Sequence, residues 1–314
     1  MRTVPLRDRL WVAGALVCSL QWLCLRLCQV PLAQPWETLL PGLGIFGAAF
    51  LLSWGAELAQ LEISESLALA LLALMAVLPE YAVDIYLAWT AAHDPSYTAF
   101  AAANMTGGNR LLIGLGWPVV LLCYWMKTRR KEITLDKGQR IELATLVVAT
   151  GYAFLIPLKR TLSLVDTVLL VGLFVVYLIR SSQAHHVEPE LEGPPRHLAR
   201  LPRTWRRLVT VAMFLLPGLT IFMAAQPFAE GLLDSARGLG IEEFLLIQWL
   251  APLASESPEF VVAALCALRG NARAGLGTLV SSKVNQWTLL IGTIPLVFSA
   301  LTVKRNGIAS PVFT

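Results

Sequence analysis

The chain has 314 residues, of which 56% are hydrophobic and 15% charged, with a formal net charge of +4 and a mean hydropathy of +0.63. Soluble domains carry roughly 45 to 50% apolar and about 25% charged residues, so this composition excludes a soluble fold and predicts an all-α polytopic membrane protein. The basic residues fall in loops between apolar runs, which reports topology and argues against a nucleic-acid partner.

In chain order, apolar windows predict nine transmembrane helices, at about 10–30, 39–60, 64–91, 97–125, 141–158, 162–181, 207–229, 241–268 and 273–302. Arg26 interrupts the first. Arg2, Arg7 and Arg9 precede it, but no small-residue cleavage site follows, so it reads as a span and not as a signal peptide. The five cysteines lie in or beside apolar runs without CxxC spacing and read as core or lipid-facing residues.

If the spans alternate, the basic clusters at 2–9, 127–140, 180–207 and 269–273 share one side, which the positive-inside rule makes cytoplasmic. Lys159, Arg160, Lys304 and Arg305 are exceptions. The expectation is a multi-pass protein of the plasma (cell inner) membrane with a cytoplasmic N-terminus. The polar stretch 182–206 holds His185, His186 and His197, which could form a metal or pH-sensing cluster. Its prolines argue against a helix that would gather them, and it reads as a flexible linker.

The linker separates two halves that resemble each other. LALALLALMAVLPEYAVDIYLAW (67–89) and FLLIQWLAPLASESPEFVVAALCAL (244–268) each hold a Pro-Glu pair between apolar runs, 179 residues apart. Each is followed by a small and polar stretch ahead of LLIG, in AAANMTGGNRLLIG (101–114) and GLGTLVSSKVNQWTLLIG (275–292), with the tetrapeptides 178 apart. In the alternating topology the two copies run in opposite directions. Kinked helices of two inverted repeats meeting at the bilayer midplane are the organisation of secondary transporters. The predicted division is an extra N-terminal helix (1–38), a first half (39–181, repeat about 64–120), the linker (182–206) and a second half (207–314, repeat about 241–300).

Charge at membrane depth carries the functional reading, because each Asp, Lys or Arg at a helix centre costs roughly 2.5 to 3.5 kcal/mol on insertion scales. Glu80 and Asp84 are four apart, and Glu256 and Glu259 three apart, so each pair shares a helix face. Pro79 and Pro258 would kink their helices and free carbonyl oxygens. Carboxylates, carbonyls, hydroxyls and amides are the hard ligands that Ca2+ or Na+ requires. Asn104, Thr106, Asn109, Ser255, Ser257, Ser281, Ser282, Asn285 and Gln286 supply the neutral oxygens, although such residues also serve as glue between helices. Arg110 and Lys283 are candidate internal counter-charges, each able to stand where a metal ion would sit.

These residues resemble a known pattern. LPE at 78–80 and SPE at 257–259, with AANMTGGNRLLIG at 102–114 and GLGTLVSSKVNQWTLLIG at 275–292, are similar in outline to the two α-repeats of the calcium:cation antiporter superfamily, G-T/S-S-x-P-E followed by G-N-x-x-G-S-N-x-x-N. The resemblance implies that Glu80 and Glu259 are the paired metal-coordinating glutamates, that Asn104 and Asn109 are first-repeat amides and that Ser282 is a second-repeat serine. It implies transported ions and no resident cofactor. The chain departs from the pattern at Ala76, Val77, Gly108 and Glu256. Lys283 takes the place of an asparagine, and a shifted alignment would put Arg110 at a ligand position.

The reading is a secondary antiporter, not an enzyme, that exchanges Ca2+ or Na+, against protons, by alternating access. The alternative is a non-transporting membrane scaffold in which Glu80–Arg110 and Glu259–Lys283 are internal ion pairs. Partners are inorganic cations, protons and the lipid bilayer; no feature identifies a protein partner.

Overall fold

The computed structural model describes residues 5–62, 78–134, 137–183, 191 and 193–306. Part of the predicted 64–91 span lies outside them, as do His185 and His186. The helices are α1 (Leu6–Leu27), α2 (Trp36–Ala59), α3 (Leu78–Ala91), α4 (Tyr97–Leu111), α5 (Trp117–Thr128), α6 (Lys137–Ala153), α7 (Leu155–Lys159), α8 (Leu164–Ser182), α9 (Pro194–Leu198), α10 (Arg203–Leu239), α11 (Glu243–Leu268), α12 (Ala272–Asn285) and α13 (Ile291–Asn306). A π-helical turn, Leu112–Gly116, runs α4 into α5, and another, Gln286–Leu290, runs α12 into α13. A helix satisfies every backbone donor and acceptor internally, which hydrocarbon demands.

Among the described residues six helices are long and apolar enough to cross a membrane, or seven if the two parts of α11, bent by 60° at Pro258, form one span. The expected nine are not reached within these residues. The continuous helix from Ala272 to Asn306 is not among the six and carries Arg273 and Lys283. The bend of α11 falls at Pro258, which lacks the N–H needed to continue the ladder. The turn that Pro79 would break lies outside the described residues. Arg26 does not interrupt α1 but stands exposed in its last turn, where a cation favours the negative end of the helix dipole.

The chain packs as two compact units that do not follow the sequence halves. The first comprises Met1–Ala82, His186–Leu246 and Ala254–Pro258; the second comprises Val83–His185, Ile247–Leu253 and Glu259–Thr314.

In the first unit α2 is the central helix, with 72% of its apolar window buried against 22% for α1 and 39% for α10. Lipid tails are as apolar as leucine, so helices in a membrane associate through close packing at small residues and through polar contacts. A Cβ on Gly47 would stand 2.5 Å from the Ala15 carbonyl oxygen. Hydroxyl pairs link the helices at Ser19 and Thr220 (2.9 Å) and at Thr38 and Ser235 (2.8 Å).

The linker is partly ordered against this unit. Pro194 and Pro195 occupy the first positions of α9, where the absent N–H costs nothing, so these prolines begin a helix that the linker reading did not anticipate. His197 Nε2 lies 3.1 Å from Asp8 Oδ2, which ties α9 to α1.

The second unit holds two apolar clusters. Leu112, Val120, Ala263, Ala267, Ala272 and Leu279 form one, and Ala88, Leu162, Leu170, Ile291 and Ile294 the other. A Cβ on Gly275 would stand 2.5 Å from the Ala263 carbonyl oxygen, so α12 and the last part of α11 nearly touch. Val147, Val148, Leu158, Val165 and Val168 are exposed, the surface expected to face lipid. Lys159, an exception to the charge rule, pairs with the buried Asp166, which also accepts from the Ser163 amide at 2.6 Å and caps α8. Its charge is met inside the protein and carries little topological information.

Just beyond α2, Glu62 accepts from Arg207 Nε at 2.7 Å, Arg206 Nε at 2.8 Å and Arg203 Nε at 3.5 Å. The hydrogen-bonded Arg207 and Arg206 guanidiniums hold its carboxyl down from 4.5 to about 2. A depressed carboxylate contributes stability that is complete above its unfolded value and disappears as pH falls through the folded one. Thermal unfolding in detergent is expected to lose stability between about pH 4.5 and 2 in the wild type. Glu62→Gln is expected to be less stable than wild type at pH 7, and the gap should close across that window.

Candidate ion-binding site

The residues singled out by charge lie on α3, α4, α11 and α12, and most are buried. Glu80, Asp84, Asn104, Ser255, Glu256, Glu259, Ser282, Asn285 and Gln286 are all buried, Asn109 is half-buried, and Lys283 is 0% exposed, the largest fully buried side chain of the described residues. A lysine ammonium withdrawn from water in this way is stable only when the protein supplies acceptors or opposite charge.

Within the second unit the side chains meet in small groups. Asn104 Nδ2 donates to Asp84 Oδ1 at 2.8 Å, joining α4 to α3 through buried atoms. Lys283 Nζ donates to Gln286 Oε1, three residues on, at the first position of the π-helical turn. Tyr177 on α8 reaches Ser281 at 3.1 Å. Gln248 on α11 donates to Thr106 Oγ1 at 3.3 Å, while Thr106 donates to the Ala102 carbonyl at 2.8 Å.

Gln248, a buried amide missing from the sequence-based candidates, belongs with this set. Its signal was a lone polar residue in the apolar run FLLIQWL, with no counterpart in the first repeat to draw attention to it. The Oδ1 atoms of Asn104 and Asn109 and Oε1 of Gln248 are buried without a hydrogen-bond partner among the described residues. Such amide oxygens are hard, neutral ligands of the kind that Ca2+ or Na+ takes. No group of three or more His, Cys, Asp or Glu among the described residues could hold a metal by itself, so any cation held here would draw on amide, hydroxyl and carbonyl oxygens as well as carboxylates.

Arg110 departs from expectation. It is exposed and is not an internal counter-charge. The buried positions of α4 are Ala101, Ala103, Asn104, Gly107, Gly108 and Leu111, and the helical advance turns Arg110 off that face. Of the buried candidates, Glu80 and Glu256 belong to the first unit, and Asp84, Glu259 and Lys283 to the second.

The π-helical turns fix how the repeats correspond. They begin at 112 and 286, 174 residues apart, whereas the LLIG tetrapeptides are 178 apart; the difference is about one helical turn. On the structural register Asn109 corresponds to Lys283, Leu112 to Gln286 and Arg110 to the apolar Val284. The alternative alignment that would make Arg110 a ligand is not the one the turns define. A π turn loosens the regular hydrogen-bond ladder and is frequent at functional sites.

Comparison with known proteins bears on what this arrangement does. Residues 38–183 and 209–313 match the model of the family described as "Sodium/calcium exchanger protein". The crystal structure of the H+/Ca2+ exchanger CAX superposes with a TM-score of 0.91 at 43% identity, covering 98% of this chain and 77% of that one. The sodium-calcium exchanger NCX_Mj superposes with a TM-score of 0.53 at 18% identity, over 91% of this chain and 83% of that one, a likeness of fold. CaxA of Alkalimonas amylolytica is 26% identical over 104 residues, 32% of this chain, and the match spans 33% of that relative's length.

The close approach of α4 and α11 is directly testable. A Cβ on Gly107 would stand 2.1 Å from the Gln248 backbone oxygen, whereas one on Gly151 meets nothing within 4 Å. Gly107→Ala is expected to lower stability by about 1–3 kcal/mol through overpacking, and Gly151→Ala to leave it unchanged or raise it slightly, as read by thermal unfolding in detergent.

Proposed function

We propose, from the premise that this chain belongs to the sodium/calcium exchanger protein family, that it is a secondary active antiporter exchanging Ca2+ or Na+ against protons. The family lies within the calcium:cation antiporters, multi-pass membrane transporters rather than enzymes. The observation that carries the reading is the burial of Glu80 and Glu256 in the first unit and of Asp84 and Glu259 in the second, with Lys283 the one fully buried lysine among the described residues. Carboxylates do not stay ionised in a low-dielectric interior without compensation. A divalent cation and protons are the species that neutralise them, and these compete for the same oxygens.

In this reading Glu80 and Glu259 are the metal ligands of a midplane site. Asp84, Glu256, Asn104, Asn109, Ser255, Ser282, Asn285 and Gln286 contribute further oxygens, and the break at Pro258 offers freed carbonyls. Lys283 is a tethered cation standing where a second metal ion would otherwise bind, with Gln286 holding its ammonium in place. Competition for one set of carboxylates makes exchange obligatory, because the loaded forms are near neutral and cross between outward- and inward-facing states while the empty charged form does not. The 43% identity to an H+/Ca2+ exchanger supports the Ca2+ and proton pair. The ions are cargo, and no resident cofactor enters the scheme. The halves 39–181 and 207–314 act as the inverted repeats, with 1–38 an added helix and 182–206 the connecting linker. The chain resides in the cell inner membrane with a cytoplasmic N-terminus.

The test is reconstitution in vesicles, with internal pH and Ca2+ followed by dyes under imposed Ca2+, Na+ or K+ gradients. A Ca2+ gradient is expected to drive opposite proton movement. Glu259→Gln should slow it by about tenfold or more, the effect of losing a charge-assisted contact. Silence of the wild type under every gradient would overturn antiport and leave a membrane scaffold that retains the fold. Flux untouched by Glu259→Gln would keep transport and remove Glu259 from the site.

A further inference from the structure

The arginines at the start of α10 are more numerous than the acid they meet. Arg203, Arg206 and Arg207 converge on the single carboxylate of Glu62, leaving a formal +2. Arg206 is committed to the fold: its side chain is 19% exposed, its Nε and Nη2 bond Glu62 Oε1, and its Nη1 donates to the Ala199 carbonyl at 3.0 Å. Arg203 and Arg207 differ. Their side chains are 72% and 53% exposed, and each meets Glu62 through Nε alone. The terminal guanidinium nitrogens of both have no partner among the described residues. Glu62 thus orients two guanidinium forks without occupying them.

A cleft of about 360 Å³ opens beside these forks, lined by Arg203, Thr204, Arg207, Leu208 and Val211. The spacing places Arg203, Arg207 and Val211 on one helical stripe, with Thr204 and Leu208 on the next. Along the helix axis the lining passes from two cations and a hydroxyl to two exposed aliphatic side chains, Leu208 and Val211. That is the polarity sequence of a phospholipid, headgroup first and acyl chain after it. The cleft lies in the first turns of a membrane-crossing helix, and the exposed Trp205 is the residue type that marks the membrane–water boundary. An arginine fork binds a phosphate through two parallel hydrogen bonds, a geometry lysine lacks.

We propose that this cleft in the first unit binds one anionic phospholipid, its phosphate held by Arg203 and Arg207 and its chain laid along Leu208 and Val211. The site lies outside the buried carboxylate set and does not depend on the transport reading. Basic pockets at the membrane surface select anionic over zwitterionic headgroups by charge, and the terminal guanidinium nitrogens add the geometric selection.

Native mass spectrometry and thermal unfolding of the full chain in detergent test this with dioleoylphosphatidylglycerol, dioleoylphosphatidylcholine and inorganic phosphate as separate probes. The wild type is expected to retain phosphatidylglycerol about tenfold more tightly than phosphatidylcholine, with a matching rise in unfolding temperature, and to gain nothing from phosphate. Arg203→Ala with Arg207→Ala, which leaves the Arg206–Glu62 pair in place, should erase the difference. Arg203→Lys with Arg207→Lys, which keeps the charge, should reduce it and carries the test if the alanine pair does not fold. Equal retention of the two lipids by the wild type, or undiminished phosphatidylglycerol binding in both double variants, would overturn the proposal. Equal stabilisation by inorganic phosphate would replace it with a free-anion site.

Discussion

An ammonium group with no access to water has to be answered by the protein around it, and Lys283 imposes that requirement on this fold. Its side chain is fully buried, and a lysine in such a place requires acceptors or opposite charge from within the protein. Gln286 meets it from the same helix, and it does so from the π-helical turn. Four carboxylates, Glu80, Asp84, Glu256 and Glu259, are buried as well, and each of them carries the same demand for compensation.

The two π-helical turns show how the repeats have diverged around this requirement. On the register they define, the half-buried amide Asn109 of the first repeat corresponds to the buried ammonium of the second, and a leucine corresponds to Gln286. At this position the first copy keeps a neutral amide, and a second amide, Asn104, donates to the Asp84 carboxylate. The second copy carries a lysine there. The two copies therefore differ in chemistry at corresponding positions of the same helical element.

The first unit meets the same physics at its surface. Glu62 gathers three arginines at the end of the membrane-spanning helices, where water and headgroups reduce the cost of charge. Here surplus cation stands exposed, whereas Glu80 and Glu256 of the same unit and Asp84 and Glu259 of the second are buried. The contrast follows from dielectric environment: exposed guanidiniums are tolerated at the interface, and buried charge is tolerated only where it is compensated.

The amino-acid sequence alone determined the membrane class, the helical fold, the duplicated Pro-Glu elements, the bend at Pro258 and which acids of the apolar runs are candidates for burial. These follow from hydropathy, from proline's missing donor and from the cost of charge in hydrocarbon, all of which are local properties of the chain. Tertiary structure decided the rest. Arg110 and Lys283 look alike in sequence, each a basic residue in an apolar run, yet one is exposed and the other has no exposed surface, because helix rotation against its neighbours is set by packing. Gln248 reaches Thr106 only because α4 and α11 approach closely at Gly107, and the register between repeats emerged only from where the helices loosen. Composition and periodicity place a residue along the membrane normal; which neighbour it faces depends on contacts between helices distant in the chain, and those exist only after folding.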